Sequence, residues 1–203
     1  PTPRNSLDHH ARTQLRSPIS RTQNESLHAG FDLVGITTAE PPASFNHFAD
    51  WIANGMHASM DYLERTSSQR HDPRNLLPET RSIIMLGLNY APPDQEHKTI
   101  VSYYARGLDY HDIMRSKMKA LVSAVRESTG LSFKTRICVD TAPLLERDLA
   151  ARAGLGWIGK NTSLINRKLG TWFFLGAIVT DLDLSPDTPQ PDRCGTCNRC
   201  IQA

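Results

Sequence analysis

No stretch of eighteen or more apolar residues occurs among these 203 residues, which excludes a helical membrane span of ordinary length. The N-terminal part also has no basic segment followed by an apolar run and a small-residue cleavage site, so no secretory leader is read there and the cytoplasm is the expected location. There is no internal repeat with a period of roughly 20–50 residues, which excludes solenoids and propellers. Low-complexity tracts are missing too, and with 39% hydrophobic and 22% charged residues the composition is that of a globular protein, neither disordered nor fibrous. Cysteine is scarce. Of four, Cys138 stands alone upstream, while Cys194, Cys197 and Cys200 crowd into the last ten residues. That clustering favours a metal or cluster site in a reducing compartment over a disulfide framework.

What is present fits one main domain and the start of another. Residues 1–20 hold three prolines and no sustained apolar period, and are expected to form a flexible extension. Residues 21–184 read as one mixed domain. The spacing predicts a strand over residues 31–37 after a short helix closed by Gly30, a helix over 45–52, a buried strand over 81–90 stopped by Pro92 and Pro93, and another strand over 100–104. Residues 110–127 place Met114, Met118, Leu121, Val122 and Val125 on one helical face. A strand over 133–139 should run into Asp140, followed by a helix with Pro143 near its start and Gly154 beyond its end, and then a strand over 172–180. Strands mixed with helices predict an α+β or α/β domain. Pro186, Pro189 and Pro191 mark an acidic linker into the cysteine module at 185–203.

The net charge of +2 conceals an uneven distribution: residues 106–168 carry twelve Lys and Arg against six Asp and Glu. A basic middle suits a polyanionic partner, and equally a solvated helix surface. Arg106, Arg115, Lys117, Lys119, Arg167 and Lys168 are the candidates for contacts to a phosphate backbone. In the tail, Cys194, Cys197 and Cys200 recur at intervals of three, the spacing that wraps an iron–sulfur cube. A structural zinc knuckle, which takes its cysteines in pairs separated by a longer loop, is the alternative.

The segments ARGLDYH (105–111), VDTAPLLERDLAARAGLGWIGKN (139–161) and GTWFFLG (170–176), followed by the cysteine run, strongly resemble the epoxyqueuosine reductases. GFDLVGI (30–36), SQRHDPRNLLPETRSI (68–83) and GLNY (87–90) extend the likeness. One departure is GMHASMDYLER (55–65), where the family tends to have Gly at the position of Ala58. The resemblance implies an α+β, nitroreductase-like cobalamin-binding domain, then a ferredoxin-like 4Fe-4S domain of which these residues hold only the first part. It implies cobalamin and two 4Fe-4S clusters in the full-length family, neither with a complete ligand set here. It further implies deoxygenation of epoxyqueuosine at the wobble position of tRNA by a monomer fed by a cellular electron donor, with no membrane partner. A corrinoid reductive dehalogenase and an electron-transfer iron–sulfur module are the rival readings.

Residue by residue, the resemblance makes Asp140 the proton donor and cobalamin contact. On residue type alone a helix N-cap is the stronger reading for it. Asp109, Tyr110 and His111 are expected to shape the pocket. Arg70, Ser102 and the Leu164 backbone are further cobalamin contacts, with Tyr103, Tyr104 and Trp172 walling the ring. Gly154, Gly156 and Gly159 are read as turns that let backbone approach the corrin, since Lys160 and Asn161 do not follow the order of a nucleotide-binding loop. Cys138 is expected to be a small buried residue.

Overall fold

The computed structural model of the protein describes residues 29–91 and 100–202, together with Thr22, Glu25 and Ser26. The expected flexible extension over residues 1–20 and the prolines at 92 and 93 lie outside the described residues. Four strands form an antiparallel sheet: β1 (Leu33–Thr38), β2 (Ser82–Asn89), β3 (Thr135–Val139) and β6 (Phe173–Thr180), in the order β1-β2-β6-β3. Register runs from Leu33 opposite Gly87 in the first pair, from Ser82 opposite Thr180 in the second, and from Thr135 opposite Thr180 in the third.

Alternation along β2 divides the core. Ile84 and Leu86 join Ile36 and Ile178 on one side, whereas Ile83 and Met85 join Cys138, Ala177 and Val179 on the other. Because both faces carry apolar side chains, each needs a cover. Helix α4 (Tyr110–Thr129) supplies the first with Met114, Met118, Leu121, Val122 and Val125, the five residues its periodicity marks. Each is worth about 1.5–3 kcal/mol on burial. Helix α5 (Glu146–Arg152) supplies the second with Leu149 and Ala150. A short hairpin of β4 (Trp157–Ile158) and β5 (Leu164–Ile165) follows α5. Helices α1 (Phe45–Ala53), α2 (Tyr62–Arg65) and α3 (Ser67–His71) lie between β1 and β2, and α6 (Arg199–Gln202) holds Cys200. The result is a mixed α+β domain, as expected.

Two local expectations fail. Residues 100–104 are not a strand: Tyr103–Ala105 is a 3-10 turn, with Ile100 fully exposed. Pro143 precedes α5 instead of opening it, since Leu145 is the N-cap. Alternating β-formers and an early proline are necessary for such elements but do not fix where the chain leaves them. Gly154 and Gly156 stand close to the protein's own backbone, and Gly159 to the Ile165 and Asn161 side chains. A Cβ on Gly156 would stand 2.2 Å from the Ile165 carbonyl oxygen, and one on Gly154 2.6 Å from that of Thr188. Ala58 has φ +51, the left-handed conformation in which glycine alone is unstrained, so the departure in that segment carries a real backbone cost.

The linker is pinned to the sheet. Asp187 N–H donates to the Ile36 carbonyl and the Ile36 N–H to Asp187 Oδ2, both at 2.9 Å.

Candidate active site

Asp140 directly follows β3, yet six residues separate that strand from α5. It is therefore no helix cap: Leu145 takes that place, without a side-chain bond. Its φ is +46, a conformation Asp tolerates better than most residues but that still costs of order 1 kcal/mol. The carboxylate is 60% exposed and lies 3.3 Å from His111 Nε2.

Helix α4 brings up the partners. Asp109 caps it, its Oδ1 accepting from the His111 backbone N–H at 2.8 Å and lying 2.8 Å from His111 Nδ1. Both imidazole nitrogens thus face carboxylates, Asp109 on one side and Asp140 on the other. The His111 pKa is raised, first by its hydrogen bond to Asp109 and, less, by that to Asp140. Tyr110 is pushed up to about 12 by burial, then by the Asp140 charge and a hydrogen bond to it.

Beneath this group sits a carboxyl that sequence reasoning missed. Glu146, in the first turn of α5, is raised to about 7 by burial, with the negative charge of Asp140 adding to the rise. Among the described residues its Oε1 has no hydrogen-bond partner, and neither has the buried Nε of Arg70. Arg70 Nη1 donates to the Leu144 carbonyl at 3.1 Å, tying α3 to the far end of the Asp140 loop. A charged residue within LLERDLAAR was the available signal, but only the fold shows that its carboxyl Oε1 is buried.

Aromatic contacts connect the Asp140 end to the other predicted residues. His111 stacks on Tyr110 at 4.1 Å, Tyr110 on Phe174 at 4.2 Å, and Phe174 meets Tyr90 at 4.4 Å. Trp172 sets an edge against both Tyr90 and Tyr103, at 5.7 and 5.9 Å. Alongside lies a recess of about 290 Å³ lined by Tyr90, Arg147, Ser163, Leu164, Thr171, Phe173 and Leu175. Leu164 is in its wall and Trp172 lies between two lining residues, while Ser102 caps the 3-10 turn that carries Tyr103. Tyr104 is 55% exposed and has no part in this ladder. Three of the basic candidates are engaged within the fold: Arg106 lies over the Tyr103 ring at 3.6 Å, Lys117 Nζ donates to the Ala29 carbonyl at 3.0 Å, and Arg115 Nη1 lies 3.8 Å from Asp112 Oδ1.

A strand-end carboxylate paired with an imidazole, at one end of an aromatic ladder, is a pair able to share a proton. Residues 70–141 match the family model described as Epoxyqueuosine reductase QueG, DUF1730, a span that includes Arg70, Ser102, Tyr110, His111 and Asp140. The epoxyqueuosine reductase of Xanthomonas campestris pv. campestris is 38% identical over 200 residues, covering 94% of this chain and 56% of that protein. Over nearly its whole length the chain is similar to the epoxyqueuosine reductases. It spans little more than half the length of the curated relatives it matches, 59% for that of Cellulophaga algicola. Among solved structures, an epoxyqueuosine reductase in complex with an epoxyqueuosine-modified tRNA-Tyr stem loop superposes with a TM-score of 0.82 at 27% identity, covering 93% of this chain and 52% of that one. A reductive dehalogenase described with B12-dependent chemistry shares the fold alone, at 15% identity and TM-score 0.52 over 92% of this chain and 25% of that one.

The carboxylate–imidazole pair makes a direct expectation. In Asp109→Asn the largest contributor to the raised His111 pKa is gone, so the imidazole should titrate closer to the ordinary value of 6.5 when followed by NMR. The sign is that of a group raised on folding. Its stabilisation is complete below the unfolded pKa and is lost as pH rises through the folded one, so the variant should lose its advantage on the acid side of neutrality. An unchanged titration would remove Asp109 from the pair.

Proposed function

We propose that this chain carries the catalytic part of an epoxyqueuosine reductase, removing the epoxide oxygen of epoxyqueuosine at the wobble position of tRNA to leave queuosine. The observation that carries the reading is the Asp140–His111–Asp109 arrangement, lying wholly within the segment matched by the family model. Conversion of an epoxide to an alkene takes up two electrons and two protons and releases water. Such a site must hold a proton beside the departing oxygen.

Asp140 is the proposed proton donor. With His111 neutral and Nδ1–H donating to Asp109, Nε2 is left as an acceptor facing Asp140 Oδ2, so a proton can rest on either atom of that pair. Tyr110, held largely protonated by its raised pKa, donates toward the same carboxylate and orients it. The solvent-facing position of Asp140 leaves it accessible to a base turned out of the anticodon stack. Arg115, Lys119, Arg167 and Lys168 are proposed backbone contacts for that tRNA.

The residues present fit a corrinoid. The recess offers aromatic and aliphatic walls from Tyr90, Phe173 and Leu175, a polar rim from Ser163, Thr171 and Arg147, and the orphaned Nε of Arg70 near the Asp140 loop. Arg70, Ser102, Tyr103, Asp140, Leu164 and Trp172 are the proposed contacts. When bound, cobalamin supplies a strong cobalt nucleophile or one-electron donor for the epoxide. In the tail, Cys194, Cys197 and Cys200 are unpaired thiols on one turn and helix α6. Among the described residues no three His, Cys, Asp or Glu side chains gather as a single-ion site requires. A 4Fe-4S cube instead takes its thiolates one per iron, a donor type these cysteines fit. We accordingly assign residues 21–184 to a nitroreductase-like cobalamin domain and 185–203 to a linker and the first part of a ferredoxin-type domain, reduced by a cellular donor.

The test is anaerobic incubation of the intact protein, loaded with cobalamin and supplied with a low-potential reductant, with an epoxyqueuosine-bearing anticodon stem loop. Mass spectrometry should show the modified base losing one oxygen atom. Recovery of unchanged epoxyqueuosine under conditions where cobalamin is bound and reduced contradicts the proposal.

A further inference from the structure

Lys160 stands at the tip of the β4–β5 hairpin, and the tip is fixed. Gly159 N–H donates to the Ser163 carbonyl and Thr162 N–H to that of Gly159, both at 2.9 Å, while Asn161 Oδ1 accepts from the Ser163 N–H at 3.2 Å. From there Lys160 Nζ reaches across to the cysteine turn. It donates to the Gly195 carbonyl at 2.8 Å, the Cys197 carbonyl at 3.0 Å and Asn198 Oδ1 at 3.0 Å. An ammonium has three donors, and each finds one acceptor. All three acceptors lie between Cys194 and Cys200. The turn has its own internal bonds, Cys197 N–H to the Cys194 carbonyl at 2.9 Å and Cys194 N–H to Asp192 Oδ1 at 2.8 Å. Of the bonds described here, those from Lys160 are what join it to the hairpin.

A lone exposed lysine bond contributes little, because water competes for the ammonium and the long side chain loses rotamer freedom. Convergence of three acceptors from one five-residue turn is different in kind, since it fixes a loop and not merely a side chain. It also places a positive charge against the carbonyl of a cysteine proposed as a cluster ligand.

We infer that Lys160 is a positioning residue for the iron–sulfur module: it braces the cysteine turn against the catalytic domain and sets the charge beside its thiolates. The brace stands on the hydrogen bonds alone, whereas the charge role rests on the iron–sulfur reading above. A cluster gains negative charge on reduction, so a nearby ammonium stabilises the reduced form and raises its potential.

Two measurements on the intact protein separate the parts. In the iron-free protein, Lys160→Met should speed amide hydrogen exchange at residues 195–198 by roughly three- to tenfold, with exchange in α4 unchanged. Equal rates in parent and variant overturn the brace. In the cluster-loaded protein, a redox titration followed by EPR should show a more negative potential in Lys160→Met and a return to the parent value in Lys160→Arg, which keeps the charge. An unshifted potential in Lys160→Met overturns the charge role. If the protein with its complete set of cluster ligands takes up no cluster, the iron–sulfur reading and the charge role fall together, and the exchange rates alone decide the brace.

Discussion

Asp140→Asn is expected to lower the rate of epoxide removal by roughly 100- to 10,000-fold, the range that a positioned general acid contributes, with cobalamin binding retained. The amide is nearly isosteric, keeps an oxygen to receive the Tyr110 hydroxyl, and has a side chain that tolerates the left-handed backbone at φ +46 as aspartate does. What it lacks is a proton to give. Thermal stability should change little, because the carboxylate is 60% exposed and caps no helix. A single-turnover rate near that of the parent protein would take Asp140 out of the chemistry and leave His111 or Tyr110 to supply the proton.

Gly35→Ala should be the most damaging small substitution in the fold. Gly35 lies within β1 where the strand passes the end of α5, and a Cβ there would stand 2.0 Å from the Ala153 carbonyl oxygen and 2.6 Å from Leu155 Cδ1. The first neighbour is backbone and cannot rotate away. Strand and helix must part, at a cost of about 3 kcal/mol, the upper end of ordinary overpacking. In a protein of this size that is a fall of roughly 6–12 °C in Tm, measurable by circular dichroism. Since Glu146 and Arg147 stand in the first turn of the displaced helix, loss of activity should accompany loss of stability. A melting temperature within a degree of the parent would show that β1 and α5 do not meet as closely as described.

The main elements are legible in the sequence because periodicity and burial agree in them. The five apolar positions of α4 are its five buried residues, and Ile83–Leu86 alternate between the two halves of the core. The motif resemblance likewise names Asp140, His111 and Tyr110, which the fold gathers at one place. Residues 100–104 show the limit. An apolar run followed by tyrosines satisfies strand propensity, yet Ile100 is exposed and among the described residues no strand pairs with the run, and propensity without a partner does not make a strand. Glu146 is illegible for a related reason. Its raised pKa comes from burial and from Asp140, a residue six positions away that reaches it only because the intervening loop folds back. Phe174 and Tyr90, which join the two ends of the site, carry no local mark that separates them from ordinary strand residues. The tie from Lys160 to the cysteine turn spans 35 to 38 residues, beyond the reach of any local pattern.

A crystal structure of the cobalamin-loaded protein will show whether a corrinoid lies against the recess beside Trp172. The cobalt is expected to face Asp140 and His111, with the ring along the Tyr110–Phe174–Tyr90–Trp172 ladder and its amide arms on Ser163, Arg147 and the Leu164 backbone. A macrocycle seated instead on the outer face of α4, in the cleft lined by Leu108, Ile113 and Lys117, would contradict that placement.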